Sequence, residues 1–392
     1  MVESLNSSSK LTLKHTDILR ELRSKGPTGA FNDPEFKHEI GVICPDPSHR
    51  YYEKVFKNAV WLRPHEIFKE NDYSKIKLFD GIDPNDIAQG CLGVCYFLCS
   101  LSAITEFPKR LQKIFNTKES NPQGVYSLTF YVDGIPREVI VDDFLPCYKV
   151  NSQPIFSKPK GKELWVLIAE KAWAKLFGDY IATERGFMDE ALEFLTGAPC
   201  SRTLTKEKTV DEIWDIISTF DKRDYIIAGS TMPDVPKDLG LVPGHAYSLI
   251  SAHQLGSYRV FKLRNPWGRF EWNGAFSDNS ELWTEEFKKQ VGFTKADDGV
   301  FFMTVEDFKK CFEFFSYAYY HDDYHRNYYP VSQPKGHAHY FTFELDKPTE
   351  VFFYLTQKNK RFCKDPEYKY SPVTFLLLKE KANGFYERIG TT

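Results

Sequence analysis

The chain has 392 residues, of which 42% are hydrophobic and 27% charged, and a formal net charge of −3. This is the composition of a soluble globular protein with room for two or three domains. Balanced charge leaves no basic field, which excludes nucleic acid as a main partner. No apolar run approaches the length of a membrane span, so no transmembrane segment is expected.

In chain order, residues 1–30 read as a polar N-terminal extension. Thr16 is placed to cap a short helix carrying Ile18, Leu19 and Leu22, which Gly26 and Pro27 would end. Extended and loop structure with frequent proline follows, up to the segment Trp61-Leu62-Arg63-Pro64. A helix is expected from about Cys95. Residues 125–144 read as a hairpin: Tyr126, Leu128, Phe130 and Val132 alternate, Asp133-Gly134 turns, and Val139-Ile140-Val141 returns. Leu164, Trp165, Ile168, Ala172 and Leu176 mark an amphipathic helix. Thr196-Gly197-Ala198 loosens the chain and suggests a boundary. Another helix pattern spans 210–219, then two β-prone runs, Ala246 to Ala252 and Tyr258 to Arg264. A short helix is expected over 304–315. Beyond about 328 come three further strand-like runs: His339 to Leu345, Glu350 to Thr356 and Val373 to Leu378.

The eight cysteines have irregular spacing and no apolar leader precedes them. A disulfide framework is not implied, and a reducing compartment, the cytoplasm, is the expected home. Cys91, Cys95 and Cys99 recur four residues apart. A zinc site would need a second ligand cluster, which the chain lacks. Gly90 and Gly93 suit a turn feeding a helix start, which places Cys95 in its first turn. There, unpaired backbone N–H groups lower a thiol's pKa and favour the nucleophilic thiolate. Cys91 and Cys99 read as inert core residues.

A reactive thiol needs a base, and the base needs an orienting group. The two β-prone runs around Gln254-Leu255-Gly256-Ser257 read as an antiparallel hairpin centred near residue 255. Facing residues then have numbers summing to about 510, as His245 and Asn265 do. The Asn265 carbonyl oxygen could accept the imidazole N–H, leaving the other ring nitrogen for the thiol. Trp267 could shield the pair from water.

Gln89-Gly90-x-Leu92-Gly93-x-Cys95, Gly244-His245-Ala246-Tyr247-Ser248 and Arg264-Asn265-Pro266-Trp267-Gly268 resemble the three active-site motifs of the calpains, papain-like cysteine proteases. Trp61-x-Arg63-Pro64, Glu170-Lys171-Ala172-Trp173-Ala174-Lys175 and Lys347-Pro348-Thr349-Glu350-Val351 extend the resemblance over about 31–392. The resemblance implies an α+β fold: a papain-like two-subdomain cysteine protease core followed by the start of a β-sandwich domain. The implied boundaries are 31–197 for the helical subdomain with Cys95, 198–325 for the β-rich subdomain with His245 and Asn265, and 330–392 for an incomplete β-sandwich. Gln89 would supply the oxyanion-hole amide. Val94 and Tyr96 depart from the family's usual Asp and Trp beside the nucleophile.

The resemblance further implies regulation by calcium (Ca2+). One set of ligands would be Asp86, Glu170 and the carbonyls near Phe79 and Gly81. A second would be Glu271, Asp278 and Asp298, with Val300 where the family usually has another carboxylate. Protein substrates are implied, and the β-sandwich leaves room for a regulatory subunit or a membrane-surface contact. The function expected is limited, calcium-regulated endoproteolysis. Its rivals are an inactive calpain-like scaffold and a transglutaminase-like acyl transferase, against which Asn265 and the motif set speak.

Overall fold

A computed structural model describes residues 2–4, 14–26, 29–159, 161–331, 338–363, 365–382 and 384–391. Helices and antiparallel sheet are mixed along the chain, an α+β arrangement. Two compact units separate, Met1–Leu345 and Asp346–Thr392. Gly197 is the left-handed cap of a helix over Met188–Thr196, a conformation that glycine adopts without a Cβ penalty.

The first helix, α1 (His15–Ser24), begins before Thr16. The Glu138 carboxylate takes the place of a cap, accepting from the backbone N–H groups of Lys14 at 2.5 Å and His15 at 3.2 Å. Next comes α2 (Cys95–Thr105), in which every residue from Tyr96 to Thr105 is buried. The helix is enclosed on all sides, which suits its largely apolar sequence. Cys91 precedes it, so only Cys95 and Cys99 ride on the helix. A short helix, α3 (Pro108–Ile114), follows, with Pro108 at its first position. Then come the hairpin strands β1 (Val125–Val132) and β2 (Ile135–Asp142) and two buried helices, α4 (Trp165–Phe177) and α5 (Met188–Thr196).

The second half is organised by a six-stranded antiparallel sheet. Its strands are β3 (Cys200–Leu204), β4 (Ile226–Thr231), β5 (Ala246–Leu255), β6 (Tyr258–Arg264), β7 (Val300–Thr304) and β8 (Phe312–Ala318), in the spatial order β7-β6-β5-β4-β8-β3. The helix expected over 304–315 stops at Cys311, and β8 follows it directly. Ile213, Ile217, Tyr247, Phe261, Phe301, Phe308 and Phe315 form part of the core on one face of this sheet. Helix α2 packs against β4, β5 and α5, so the sheet meets the helical half along the helix that carries Cys95.

In the unit Asp346–Thr392, one hairpin pairs Leu376–Glu380 with Tyr386–Thr391. The run Glu350 to Thr356 is irregular, and of His339 to Leu345 only Tyr340–Thr342 is strand.

A buried ionic cluster braces the helical half. Lys171, on α4, and Asp142, at the end of β2, are both fully buried and paired. Lys171 also donates to the Phe144 carbonyl at 2.6 Å, and Asp142 accepts from His38 Nε2 at 2.9 Å and the Asp33 N–H at 2.7 Å. Burial alone raises a carboxyl's pKa, yet these donors hold Asp142 down at about 2. Replacing Lys171 by Met strands a charge in the core. The expected loss is about 3–5 kcal/mol of unfolding free energy, measured by urea titration.

Candidate active site

Gly90 and Gly93 bring the chain to the start of α2. A Cβ on Gly90 would stand 1.7 Å from the Phe156 carbonyl oxygen. No other residue fits this approach, so Gly90 fixes the turn that delivers Cys95 to the helix N-terminus. The N–H groups of Ala246, Tyr96 and Cys95 itself interact with the sulfur and lower its pKa. Burial is larger and leaves the thiol above its ordinary value, opposite to the direction expected from the helix end alone. The contact with Ala246 brings the thiol beside the residue that follows His245.

His245 and Asn265 lie just outside the paired ends of β5 and β6, and both are buried. Their register differs from the expected one. Leu255 pairs with Tyr258, and a β-bulge between Leu249 and Ser251 shifts the ladder so that Ser248 faces Arg264. Thus His245 and Asn265 are not directly opposite but diagonal, a separation side chains can bridge. They do so: His245 Nε2 and Asn265 Oδ1 are 2.9 Å apart.

The Asn265 amide is oriented by every bond it makes. Its Nδ2 donates to the carbonyls of Arg269 at 2.7 Å and Phe270 at 3.1 Å, and its Oδ1 also accepts from the Trp267 N–H at 3.0 Å. Oxygen must therefore face the histidine, so Nε2 carries the proton and Nδ1 is the basic nitrogen. The backbone is held as well: Asn265 N–H donates to the Gly299 carbonyl at 2.8 Å. A Cβ on Gly299 would lie 2.7 Å from the Asn265 carbonyl oxygen, and its φ of +85° adds to the requirement for glycine.

Trp267 lies against His245, with ring centroids 4.5 Å apart. Its Nε1 also donates to Gln89 Oε1 at 3.0 Å. This bond links the sheet half to the loop before Cys95, in addition to the shielding contact expected of Trp267. Gln89 Nε2 donates one N–H to the Leu92 carbonyl at 2.7 Å, and its second N–H remains for another acceptor. Tyr96 points into the core, donating to the Thr183 carbonyl at 2.9 Å and lying 3.2 Å from Trp173 Nε1. Val94 is buried too. Cys99 is fully buried, whereas Cys91 is partly exposed, with its pKa pushed up to about 12 by burial.

Burial lowers His245 to about 4, against the Asn265 hydrogen bond, which raises it. The unfolded chain therefore takes up this proton first as pH falls. This contribution to stability is complete above 6.5 and is lost progressively down to about 4. In His245→Gln, the acid-side fall in unfolding free energy should be shallower over that window, measured by urea titration at several pH values.

The acidic residues fall into two groups. Asp86 and Asp80 stand with Glu163, which accepts from the Asp80 N–H at 3.1 Å. Burial, then the neighbouring Asp86 and Asp80, push Glu163 up to about 7. Glu170 is not brought to this group. Its Oε2 accepts from the Ser157 N–H at 2.7 Å, and its Oε1 is buried with no hydrogen-bond partner among the described residues. Glu163 lies just before α4 and bridges to Lys77, near Phe79 and Gly81, whereas Glu170 lies within the helix.

In the second group, Glu271 Oε1 accepts from the N–H groups of Asp298 at 3.0 Å and Gly299 at 2.8 Å. Burial, then Asp278 and Asp298, push Glu271 up to about 7. Val300 presents only its N–H, which donates to Asp298 Oδ1 at 3.0 Å. Among the described residues no three His, Cys, Asp or Glu side chains converge to hold a metal ion by themselves. A cation at either place would need backbone carbonyls, which suits calcium and argues against zinc. The raised pKa of Glu163 in the first group, and of Glu271 and Asp278 in the second, fits places that a divalent cation would neutralise.

A cysteine at a helix start thus stands near a buried His–Asn pair under an aromatic cover. Residues 31–318 match the family model described as calpain family cysteine protease, and the chain belongs to that family. It is 35% identical over 292 residues to the calpain-type cysteine protease DEK1 of Arabidopsis thaliana, covering 71% of this chain and 14% of that protein. Calpain-9 of Mus musculus is 31% identical over 279 residues, covering 67% of this chain and 40% of that protein. Calpain of Schistosoma mansoni is 32% identical over 308 residues, 74% of this chain and 39% of that protein. The chain thus matches less than half the length of each of these relatives. Among the described residues, no helix is long and apolar enough to cross a membrane.

Proposed function

We propose that the protein is a cysteine endopeptidase making limited, calcium-regulated cuts in protein substrates from a papain-like two-subdomain cleft. The observation that carries this reading is the 2.9 Å His245–Asn265 bond beside the Cys95 thiol. His245 Nδ1 takes the thiol proton, and the Cys95 sulfur attacks the scissile carbonyl carbon. The second N–H of Gln89 and the Cys95 backbone N–H stabilise the oxyanion. His245 then gives its proton to the leaving amine as the C–N bond breaks. Water, deprotonated by His245, hydrolyses the thioester and restores the thiol. Asn265 holds the imidazole plane and tautomer throughout. Tyr96 and Val94 are turned into the core, so they bear on helix placement rather than on bond making.

Labelling with an epoxide thiol inhibitor, with and without calcium, tests the assignment. The label is expected on Cys95 alone, and labelling of another cysteine with Cys95 untouched refutes it.

Calcium would be held at the first place by Asp86, Glu163 and the carbonyls of Phe79 and Gly81. At the second it would be held by Glu271, Asp278 and Asp298. Bound calcium supplies positive charge that lets these crowded carboxylates ionise together. Calorimetric titration should separate the candidates at the first place. Glu163→Gln is expected to weaken calcium binding at least about tenfold, since affinity follows ligand charge, while Glu170→Gln leaves it unchanged. The reverse pattern would restore Glu170 as the ligand.

A further inference from the structure

Helix α2 has Cys95 at one end and Ile104 near the other, roughly 13 Å along its axis. At the Ile104 end lies a cavity of about 190 Å³ between the helical half and the sheet. Its walls come from α3, β1 and α5 on one side, and from Ile226, Tyr320 and Arg326 on the other. Three cations, Arg110, Lys113 and Arg326, line it, and among the described residues no carboxylate does.

The cations differ in their partners. Arg110 Nε and Lys113 Nζ donate to Asp322 at 2.9 and 2.6 Å, and Arg110 Nη1 donates to the Asp224 carbonyl at 2.5 Å. Arg326 Nη1 is buried and has no hydrogen-bond partner among the described residues. The Arg326 guanidinium lies 4.8 Å from the Tyr320 ring centroid, and Arg110 lies 5.0 Å from the same ring. Two guanidiniums therefore flank one aromatic ring. A buried charged donor without an acceptor is a standing penalty in the empty protein. It is removed by an anion that accepts from Arg326 inside the cavity.

We propose that this cavity is a binding site for a phosphate monoester. Arg110 and Lys113 share one carboxylate, Asp322, and Arg326 adds a third positive charge, so two positive charges are left for a dianion. A carboxylate ligand would neutralise only one. The planar fork of Arg326 suits phosphate oxygens, and Lys113 adds a point charge. At roughly 30 Å³ per water-sized group, the cavity holds a phosphoryl group and the first atoms of its ester, not a nucleotide. The ligand would tie α3 and β1 to the segment that follows β8, joining the two halves at the end of α2 away from Cys95. Nothing in this proposal depends on the peptidase reading.

The test uses the full chain with glycerol 3-phosphate, inorganic phosphate, and phosphatidylcholine vesicles with or without phosphatidic acid, which carries the same phosphomonoester. Calorimetry and thermal unfolding are the readouts. Glycerol 3-phosphate is expected to bind and raise the melting temperature. Arg326→Gln should weaken it at least about tenfold, the effect of losing one charged hydrogen bond. Arg326 is only partly buried and has no structural partner at Nη1, so the variant should fold, as circular dichroism would verify. Lys113→Gln, at an exposed position, provides a second variant that should also weaken binding. Binding to phosphatidic acid vesicles but not to glycerol 3-phosphate assigns the phosphomonoester to a lipid. Absence of binding in every arm up to the millimolar range, or equal binding by wild type and both variants, overturns the proposal.

Discussion

Cys95→Ala is expected to lower turnover of casein by at least about 10⁴-fold, given what removal of a nucleophile costs in comparable peptidases. The expectation rests on position. Cys95 is the first residue of α2, and its sulfur interacts with the N–H of Ala246, next to His245. No other cysteine shares that setting. Cys99 is one turn along the same helix but fully buried, with its sulfur 3.8 Å from the Met188 sulfur. Cys91 precedes the helix, and its N–H donates to the Ile155 carbonyl at 3.3 Å. Cys91→Ala and Cys99→Ala should therefore change stability and leave the catalytic rate within a few-fold. Cys95→Ala should keep the wild-type melting temperature within a few degrees, because the side chain lost is small. Casein cleavage retained by Cys95→Ala would refute the nucleophile, while a wild type that neither cleaves casein nor takes the epoxide label would favour a binding scaffold.

Much of this site's framework was legible in local sequence, and the exceptions have physical causes. The Asp133-Gly134 turn and the alternation around it mark β1 and β2, which pair as expected from Val125 to Asp142. The strands flanking Gly256 were also readable, because a glycine at φ +58° sits between two alternating runs. Their register was not, since Leu255 pairs with Tyr258 and the hairpin turns later than its polar run suggests, a shift of which the bulge between Leu249 and Ser251 takes back one residue. Helix α5 and strand β4 went unread; β4 is buried on both faces and shows no alternation. Strand β8 merged with the helix before it, because Phe308, Phe312 and Phe315 also satisfy helical spacing. Glu163 and Glu170 both flank the start of α4, one before it and one within it, so sequence spacing alone could not tell which approaches Asp86. The loop folded back through the Lys77–Glu163 bridge decides that, and it is a long-range contact. The Trp267–Gln89 bond likewise joins residues far apart in sequence.

Asn265→Ala is expected to lower kcat by about 10²–10³-fold, with a much smaller change in KM, as for loss of a group that orients a general base. Its carboxamide makes four hydrogen bonds, and only one goes to His245. The other three set its direction. Without the Oδ1 acceptor, nothing fixes the proton on Nε2, and the imidazole populates the tautomer whose Nδ1 cannot accept the thiol proton. The same geometry separates two conservative replacements. Aspartate could accept from Nε2, but its second oxygen would face the carbonyls of Arg269 and Phe270, where Asn265 now donates at 2.7 and 3.1 Å. Asn265→Asp should therefore rescue less than its charge suggests and should lower the melting temperature below that of Asn265→Ala. Glutamine is longer by a methylene in a fully buried site and should restore neither rate nor stability. Steady-state kinetics on a peptide substrate, with thermal unfolding of the three variants alongside, measures both effects. Wild-type kcat in a folded Asn265→Ala variant would remove Asn265 from the mechanism and leave its hydrogen bonds as supports of the loop from Pro266 to Phe270.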